Sequence, residues 1–141
     1  MRDCLSLRIK NNLEEIARMS QEIAAWCQKL ALPEEVEFQL DLVLDELVSN
    51  VIRHGLKDDN EHLIAVDLCL EGTELAVAIE DDGVPFNPLE APAPDITRPI
   101  EERRIGGLGI HLVREIMDNL AYERREGKNY LLLKKRLEEA G

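Results

Sequence analysis

The chain has 141 residues, of which 45% are hydrophobic, and this length suits a single domain built around one core. It carries 29 acidic and 17 basic residues, which gives a formal net charge of −12. A field of that sign repels phosphate backbones and anionic lipid, so the composition argues against direct binding of nucleic acid or of a membrane surface.

The cysteines and the hydropathy pattern indicate the compartment. Cys4, Cys27 and Cys69 lie far apart in apolar stretches and form no C-x-x-C pair, which gives little support to a zinc site. We expect all three to be small buried hydrophobic residues in a reducing cytosol. No signal peptide and no apolar run of about 20 residues is present, so we expect a cytoplasmic protein without a membrane span.

The first half of the chain predicts one strand and two helices. Hydrophobicity alternates over 4–9, which is typical of a short strand. Asn11 or Asn12 can cap the helix that follows, and we expect that helix to end near Ala31. Pro33 suits the first turn of a second helix. The predicted buried stripe of this second helix consists of Val36, Leu40, Val43, Leu44, Leu47 and Val51.

The second half predicts strands around a long irregular segment. Gly55 can end the second helix, and two strands at 62–71 and 73–81 are expected to meet in a tight hairpin at Gly72. Residues 84–105 contain five of the six prolines and show no period, which favours a lid or binding loop over a passive surface loop. A third helix after position 106 and two strands, at 121–125 and 129–137, complete the predicted elements.

The order of elements, β-α-α-β-β-lid-α-β-β, predicts an α/β (α+β) two-layer sandwich. In this fold the helices cover one face of a mixed β-sheet. We see no internal repeat, and we expect residues 1–141 to form one domain.

A polar pair lies at the border of the second helix's buried stripe. Glu46 and Asn50 are four residues apart and therefore share one face of the helix. The amide oxygen of Asn50 is a neutral hard ligand for Mg²⁺, and the carboxylate of Glu46 can accept a proton. The spacing alone also fits a plain surface pair. We expect a solvated face on the side away from the stripe, formed by Glu37, Asp41, Asp45 and Ser49.

Two further groups have the chemistry of a nucleotide site. Asp81 shares the inward face of its strand by period two, and a buried carboxylate needs a donor such as the amine of adenine. Gly83 would let a ring approach the backbone, although an ordinary turn after the strand is the alternative. Gly107, Leu108 and Gly109 open the third helix, where backbone N–H groups can meet phosphate oxygens, unless the glycines form only a hinge.

Three sequence boxes together resemble those of the histidine-kinase-like (GHKL) ATPases. E-L-V-S-N-x-x-x-H-G, beginning at Glu46, resembles the N box. D-D-G-V-P-F-N-P, beginning at Asp81, is similar to the D-x-G adenine box in its anti-sigma-kinase form. G-G-L-G-I-H-L-V, beginning at Gly106, resembles the G2 box. The resemblance spans nearly the whole chain and indicates an anti-sigma-factor serine/threonine kinase of this superfamily with the histidine-kinase-like ATPase fold.

The resemblance implies a role for each matching position. Asn50 would coordinate Mg²⁺ that bridges the ATP phosphates, Glu46 would be the general base, and Asp81 would bind the adenine amine. ATP and Mg²⁺ are therefore the expected cofactors. Many relatives place a Thr on the penultimate strand near the adenine, but here that neighbourhood reads Asn129-Tyr130-Leu131-Leu132, so we assign it no role. The residues implied to bind ATP are Asn50, Asp81, Gly83, Gly107, Leu108 and Gly109.

The resemblance also implies partners. Such kinases bind a sigma factor and phosphorylate a serine on an antagonist with the STAS fold. They commonly form homodimers through the face that bears the first strand and helix, where Leu5, Leu7 and Ile9 either make that contact or simply pack within the sheet. Two other functions stay open: a non-catalytic ATP-binding anti-sigma or switch module, and the detached catalytic domain of a histidine kinase.

Overall fold

The computed structural model describes residues 2–55, 60–88 and 107–138. All predicted helices and strands are found close to their expected bounds. Most of the predicted lid, 89–105, lies outside the described residues. In chain order the elements are β1 (Arg2–Lys10), α1 (Glu14–Lys29), α2 (Glu34–Asn50), a π-helical segment (Val51–Gly55), β2 (Leu63–Glu71), β3 (Glu74–Asp81), α3 (Gly107–Ile116), β4 (Asn119–Arg125) and β5 (Lys128–Arg136).

The five strands form one sheet in the order β1-β2-β3-β5-β4. Every neighbouring pair is antiparallel, so the expectation of a mixed sheet is wrong. The helical connection between β3 and β4 makes these two strands parallel, but β5 lies between them and pairs with both. The two-layer α+β arrangement is confirmed, because the helices and one face of the sheet share a single core. None of the described helices is long and apolar enough to cross a membrane.

Local sequence signals account for the ends of two elements. Asn12 Oδ1 accepts a hydrogen bond from the Glu15 N–H at 3.1 Å and so satisfies one free amide at the start of α1. Gly72 has a φ of 62° in the turn between β2 and β3, a conformation that suits glycine. Both features agree with the sequence prediction.

The buried side of α2 is wider than predicted. The whole predicted stripe is buried, but so is Ser49, which is 7% exposed. Asp41 accepts a hydrogen bond from Ser20 of α1. The expectation of a solvated face at these positions is therefore wrong in part, because Ser20 of α1 contacts Asp41 and Ser49 is buried.

β1 contributes to the core through alternate residues. Leu7 and Ile9 are buried against the helices, and Leu5 is partly buried beside them. Of the two alternatives for these residues, the structure supports packing within the domain. They therefore do not present a free apolar surface for a second copy of the chain.

The opposite face of β1 carries a disulfide. Cys4 lies directly across from Cys69 in the β1–β2 register, and the two form a disulfide. The expectation of three buried, reduced cysteines is wrong for this pair, because strand pairing joins positions 65 residues apart in sequence. It is confirmed for Cys27, which is buried and free, and burial raises the pKa of its thiol to about 11.

Candidate functional site

Glu46 and Asn50 lie together at the C-terminal end of α2. The Nδ2 group of Asn50 donates a hydrogen bond to Glu46 Oε1 at 3.1 Å, and Asn50 is only 6% exposed. This bond fixes the orientation of the carboxamide, because only its nitrogen can donate to a carboxylate. The Asn50 oxygen is thereby directed away from Glu46, where it can accept from a donor or bind a cation.

The first turn of α3 packs directly against Glu46. A β-carbon built on Gly109 would overlap the carboxylate carbon and both carboxylate oxygens of Glu46. Any side chain at this position would therefore displace Glu46. Since α3 begins at Gly107, the N–H groups of its first residues have no partner within the helix and can bind an anion. The structure thus brings the predicted base, the predicted metal ligand and the glycine-rich helix start into one site.

Asp81 ends β3 with its side chain buried, as the alternation predicted. It is 5% exposed, and its Oδ1 accepts from the Gly83 N–H at 2.9 Å and from Asn129 Nδ2 at 3.0 Å. Within the described residues no protein group donates to Oδ2. One carboxylate oxygen is therefore held by the protein, and the other is left for a further donor.

Asn129 is the residue of this site to which the sequence reasoning gave no role. It faces Asp81 across the β3–β5 register and is 4% exposed. Its Nδ2 also donates to the Val84 carbonyl at 2.9 Å, while its Oδ1 accepts from the Phe86 N–H at 3.4 Å and from the Tyr122 hydroxyl. The side chain therefore ties Asp81 to the segment that follows β3. The sequence feature that could have identified it is a single asparagine among the inward-facing leucines of β5.

A cavity of about 20 Å³ lies beside the Asp81–Asn129 pair. Its other lining is mostly apolar and includes Leu47 of α2, with Phe86 and Pro88 from the segment after β3. A volume of this size holds about one water molecule and is far too small for a purine. A purine beside Asp81 therefore requires some of the lining residues to move.

The charged side chains near Gly83 contact protein groups, and the described residues offer few metal ligands. Arg124 donates to the Gly83 carbonyl at 2.6 Å, and His62 Nδ1 lies 2.8 Å from Asp82 Oδ1. In the described part of the chain, no group of three or more His, Cys, Asp or Glu side chains could hold a metal ion. The donor set nevertheless fits Mg²⁺ held mainly by phosphate oxygens and water, because such an ion needs few protein ligands and Asn50 offers one oxygen.

The chain is similar to a known protein family and to two named kinases. The family model described as the histidine kinase-like ATPase domain matches residues 9–135. The serine/threonine-protein kinase BtrW of Bordetella bronchiseptica is 31% identical over 127 residues, which cover 86% of this chain and 88% of BtrW. The serine-protein kinase RsbW of Listeria monocytogenes is 24% identical over 138 residues, which cover 95% of this chain and 88% of RsbW.

One solved structure has a similar fold. It contains the RsbU and RsbW domains of a Mycobacterium tuberculosis protein and superposes with a TM-score of 0.69 over 96% of this chain. This chain spans 32% of the solved chain, and the two are 14% identical. At that identity the likeness concerns the fold alone.

Proposed function

The chain belongs to the histidine kinase-like ATPase family, and from this premise we propose that it is an ATP- and Mg²⁺-dependent protein serine kinase that acts as an anti-sigma factor. The observation that carries the proposal is the arrangement of Glu46, Asn50 and Gly109. A candidate base is hydrogen-bonded to a candidate metal ligand and packed against the N-terminal turn of a helix. The names of BtrW and RsbW, both serine kinases, support the same activity.

ATP is proposed to bind between α2, β3 and the start of α3. Asp81 Oδ2 would accept from the adenine amine, and Gly83 would allow the base to approach the backbone. The N–H groups of Gly107, Leu108 and Gly109 would hold the phosphates. The Asn50 oxygen would contribute to a Mg²⁺ ion that offsets phosphate charge.

Glu46 is proposed to be the general base. Its Oε1 accepts from Asn50, and no described group donates to Oε2, so Oε2 can take the proton of a serine hydroxyl. The serine oxygen then forms a bond to the γ-phosphorus as the bond to the β-phosphate oxygen breaks, which yields phosphoserine, ADP and a proton. The contacts with Asn50 and Gly109 hold the carboxylate in place for this step.

The partners proposed for this activity are a sigma factor and a STAS-domain antagonist whose serine is the substrate. This rests on the resemblance of the three sequence boxes and on the RsbW and BtrW relatives. A homodimer is also proposed. Because Leu7 and Ile9 lie in the core, any dimer contact at β1 and α1 would use the outward-facing residues of these elements.

The proposed activity is tested by single-turnover transfer from γ-labelled ATP to a purified STAS-domain antagonist. Glu46→Gln keeps the shape and hydrogen bonding but removes basicity, so we expect transfer to fall by about 10²–10⁴ while ATP affinity stays within a few-fold. Asp45→Asn, an exposed change on the same helix, is the matched control and should leave transfer unchanged.

Three results would contradict parts of this proposal. An unimpaired Glu46→Gln variant removes the role of the base. Absence of transfer by the wild type, despite Mg-ATP binding, favours the non-catalytic switch. A phosphorylated product that is lost in acid favours the detached histidine-kinase domain, since phosphoserine survives acid and phosphohistidine does not.

A further inference from the structure

An open groove runs between α1 and α2, away from the nucleotide site. It has a volume of about 350 Å³ and is lined by Ser20, Gln21, Ile23, Ala24, Phe38 and Asp41, among others. Phe38 stands at its edge and is 67% exposed. A large aromatic side chain so exposed beside an apolar groove is typical of an interaction surface.

The groove lies on a separate part of α2 from the proposed chemistry. Phe38 precedes Glu46 by eight residues, which corresponds to about 12 Å along the helix axis at 1.5 Å per residue. None of the residues lining the groove lines the cavity beside Asp81. A molecule in the groove would therefore leave the nucleotide site accessible.

The unpaired charged side chains beside the groove are acidic. α2 contains six acidic residues and no basic residue. Glu34, Glu35 and Asp41 lie three or four positions from Phe38 and so share its side of the helix. The cations of α1 are already engaged, Arg18 with Glu15 and Lys29 with Asp3.

None of the acidic groups of α2 pairs with a Lys or Arg among the described residues. Each Lys or Arg that forms an ion pair in this part of the chain does so with an acidic residue outside α2. The acidic rim of the groove is thus uncompensated. It favours a cationic occupant.

We propose that the α1–α2 groove is a docking site for a basic amphipathic helix of a protein partner, which places one large apolar side chain beside Phe38. A groove between two helices can accept the apolar face of an amphipathic helix, as in other helix-in-groove complexes. Lys and Arg residues flanking the apolar anchor meet the acidic rim, which steers association and adds specificity. The same charge argues against a second copy of this chain, whose acidic α2 would face an acidic α2.

The test uses the whole protein, ¹⁵N-labelled, titrated with a designed Lys/Leu amphipathic helical peptide and with its Glu/Leu counterpart. We expect the Lys/Leu peptide to shift the amide resonances of Ser20, Ala24 and Phe38, and the Glu/Leu peptide to leave them in place. Saturating Mg-ATP should not displace the peptide. This outcome does not depend on phosphoryl transfer, so the docking site and the kinase activity succeed or fail separately.

Two variants make the test specific. Phe38→Ala removes the anchor, and because its side chain is mostly exposed the fold should be kept; we expect peptide affinity to fall by at least about 10-fold. Leu132→Ala changes another exposed apolar residue, on the far face of the sheet, and should alter affinity less than about twofold.

Several outcomes overturn the proposal. Shifts confined to the sheet face or the nucleotide site, equal binding of both peptides, or unchanged affinity in Phe38→Ala would each do so. Sedimentation that shows a wild-type dimer and a Phe38→Ala monomer would assign the groove to a second copy instead.

Discussion

Asn129→Ala is expected to weaken both the fold and ATP binding, because one side chain supports four partners. Its amide donates to Asp81 at 3.0 Å and to the Val84 carbonyl at 2.9 Å, and its oxygen accepts from Phe86 and Tyr122. Truncation leaves these groups without that partner in a site where Asp81 is only 5% exposed. The carboxylate then keeps a single donor, the N–H of Gly83.

The magnitude follows from the two well-formed bonds that Nδ2 donates. Each buried group left unsatisfied costs about 1–3 kcal/mol, and partial access of water reduces the sum, so we expect a loss of about 2–4 kcal/mol in the free energy of unfolding. With a urea m-value of about 2 kcal/mol/M, the middle of the usual range, the unfolding midpoint should fall by about 1–2 M. Fluorescence of the single Trp, Trp26, provides the signal.

Tyr122→Phe is the matched comparison, because it removes only the hydroxyl that donates to Asn129 Oδ1. We expect it to cost about 1 kcal/mol and to change ATP affinity little. Asn129→Ala should weaken a fluorescent ATP analogue by at least about 10-fold, since Asp81 loses the group that orients it. If Asn129→Ala is no more destabilising than Tyr122→Phe and binds nucleotide normally, the argument that Asn129 holds Asp81 is refuted.

Three further predictions concern the role of Asp81, the state of the cysteines and the ionisation of Glu15. Asp81→Asn should lose most ATP affinity, and the wild type should prefer ATP to GTP, whose O6 is an acceptor; equal competition by GTP would contradict the adenine role. Without reductant, the native protein should have no thiol that reacts fast with a thiol reagent, because Cys27 is buried and its pKa is about 11. The unfolded protein should have one reactive thiol. Three reactive thiols would contradict the Cys4–Cys69 disulfide. The pKa of Glu15 is lowered to about 2, first by the hydrogen bond from Arg18. The ionised Glu15 therefore stabilises the fold above its ordinary pKa of 4.5, and this stabilisation is lost as pH falls through about 2. Glu15→Gln should lower Tm at pH 7 and have the Tm of the wild type near pH 2. Equal Tm values at pH 7 would contradict this role of Glu15.

The helices were predictable from the sequence because their pattern is local. The buried stripe of α2 repeats with the helical period, so its members could be named before the fold was known. Ser49 and Asp41 could not be assigned in the same way. Their surroundings depend on neighbouring elements, such as Ser20 of α1 beside Asp41, and the sequence of α2 carries no information about which element packs there.

The sheet shows more clearly that a local sequence pattern does not identify contacts between distant elements. Period two predicted that Asp81 points inward, and the structure confirms it. Its partner Asn129 was not predictable, because β5 follows β4 in the chain yet lies between β3 and β4. Cys4 and Cys69 were missed for a related reason: the register of β1 on β2, across two intervening helices, decides that they meet.

Gly109 shows how the structure changes the meaning of a motif. In the sequence, the glycines at the start of the third helix suggested either a backbone that can approach phosphates or a flexible hinge. In the structure, the space that a β-carbon would take at Gly109 is filled by the carboxylate of Glu46. A side chain at this position would therefore push the Glu46 carboxylate out of its observed place, before any nucleotide is considered. If the same helix start also holds phosphates, the proposed base and the phosphate site are placed relative to each other by one glycine, and a change there acts on both.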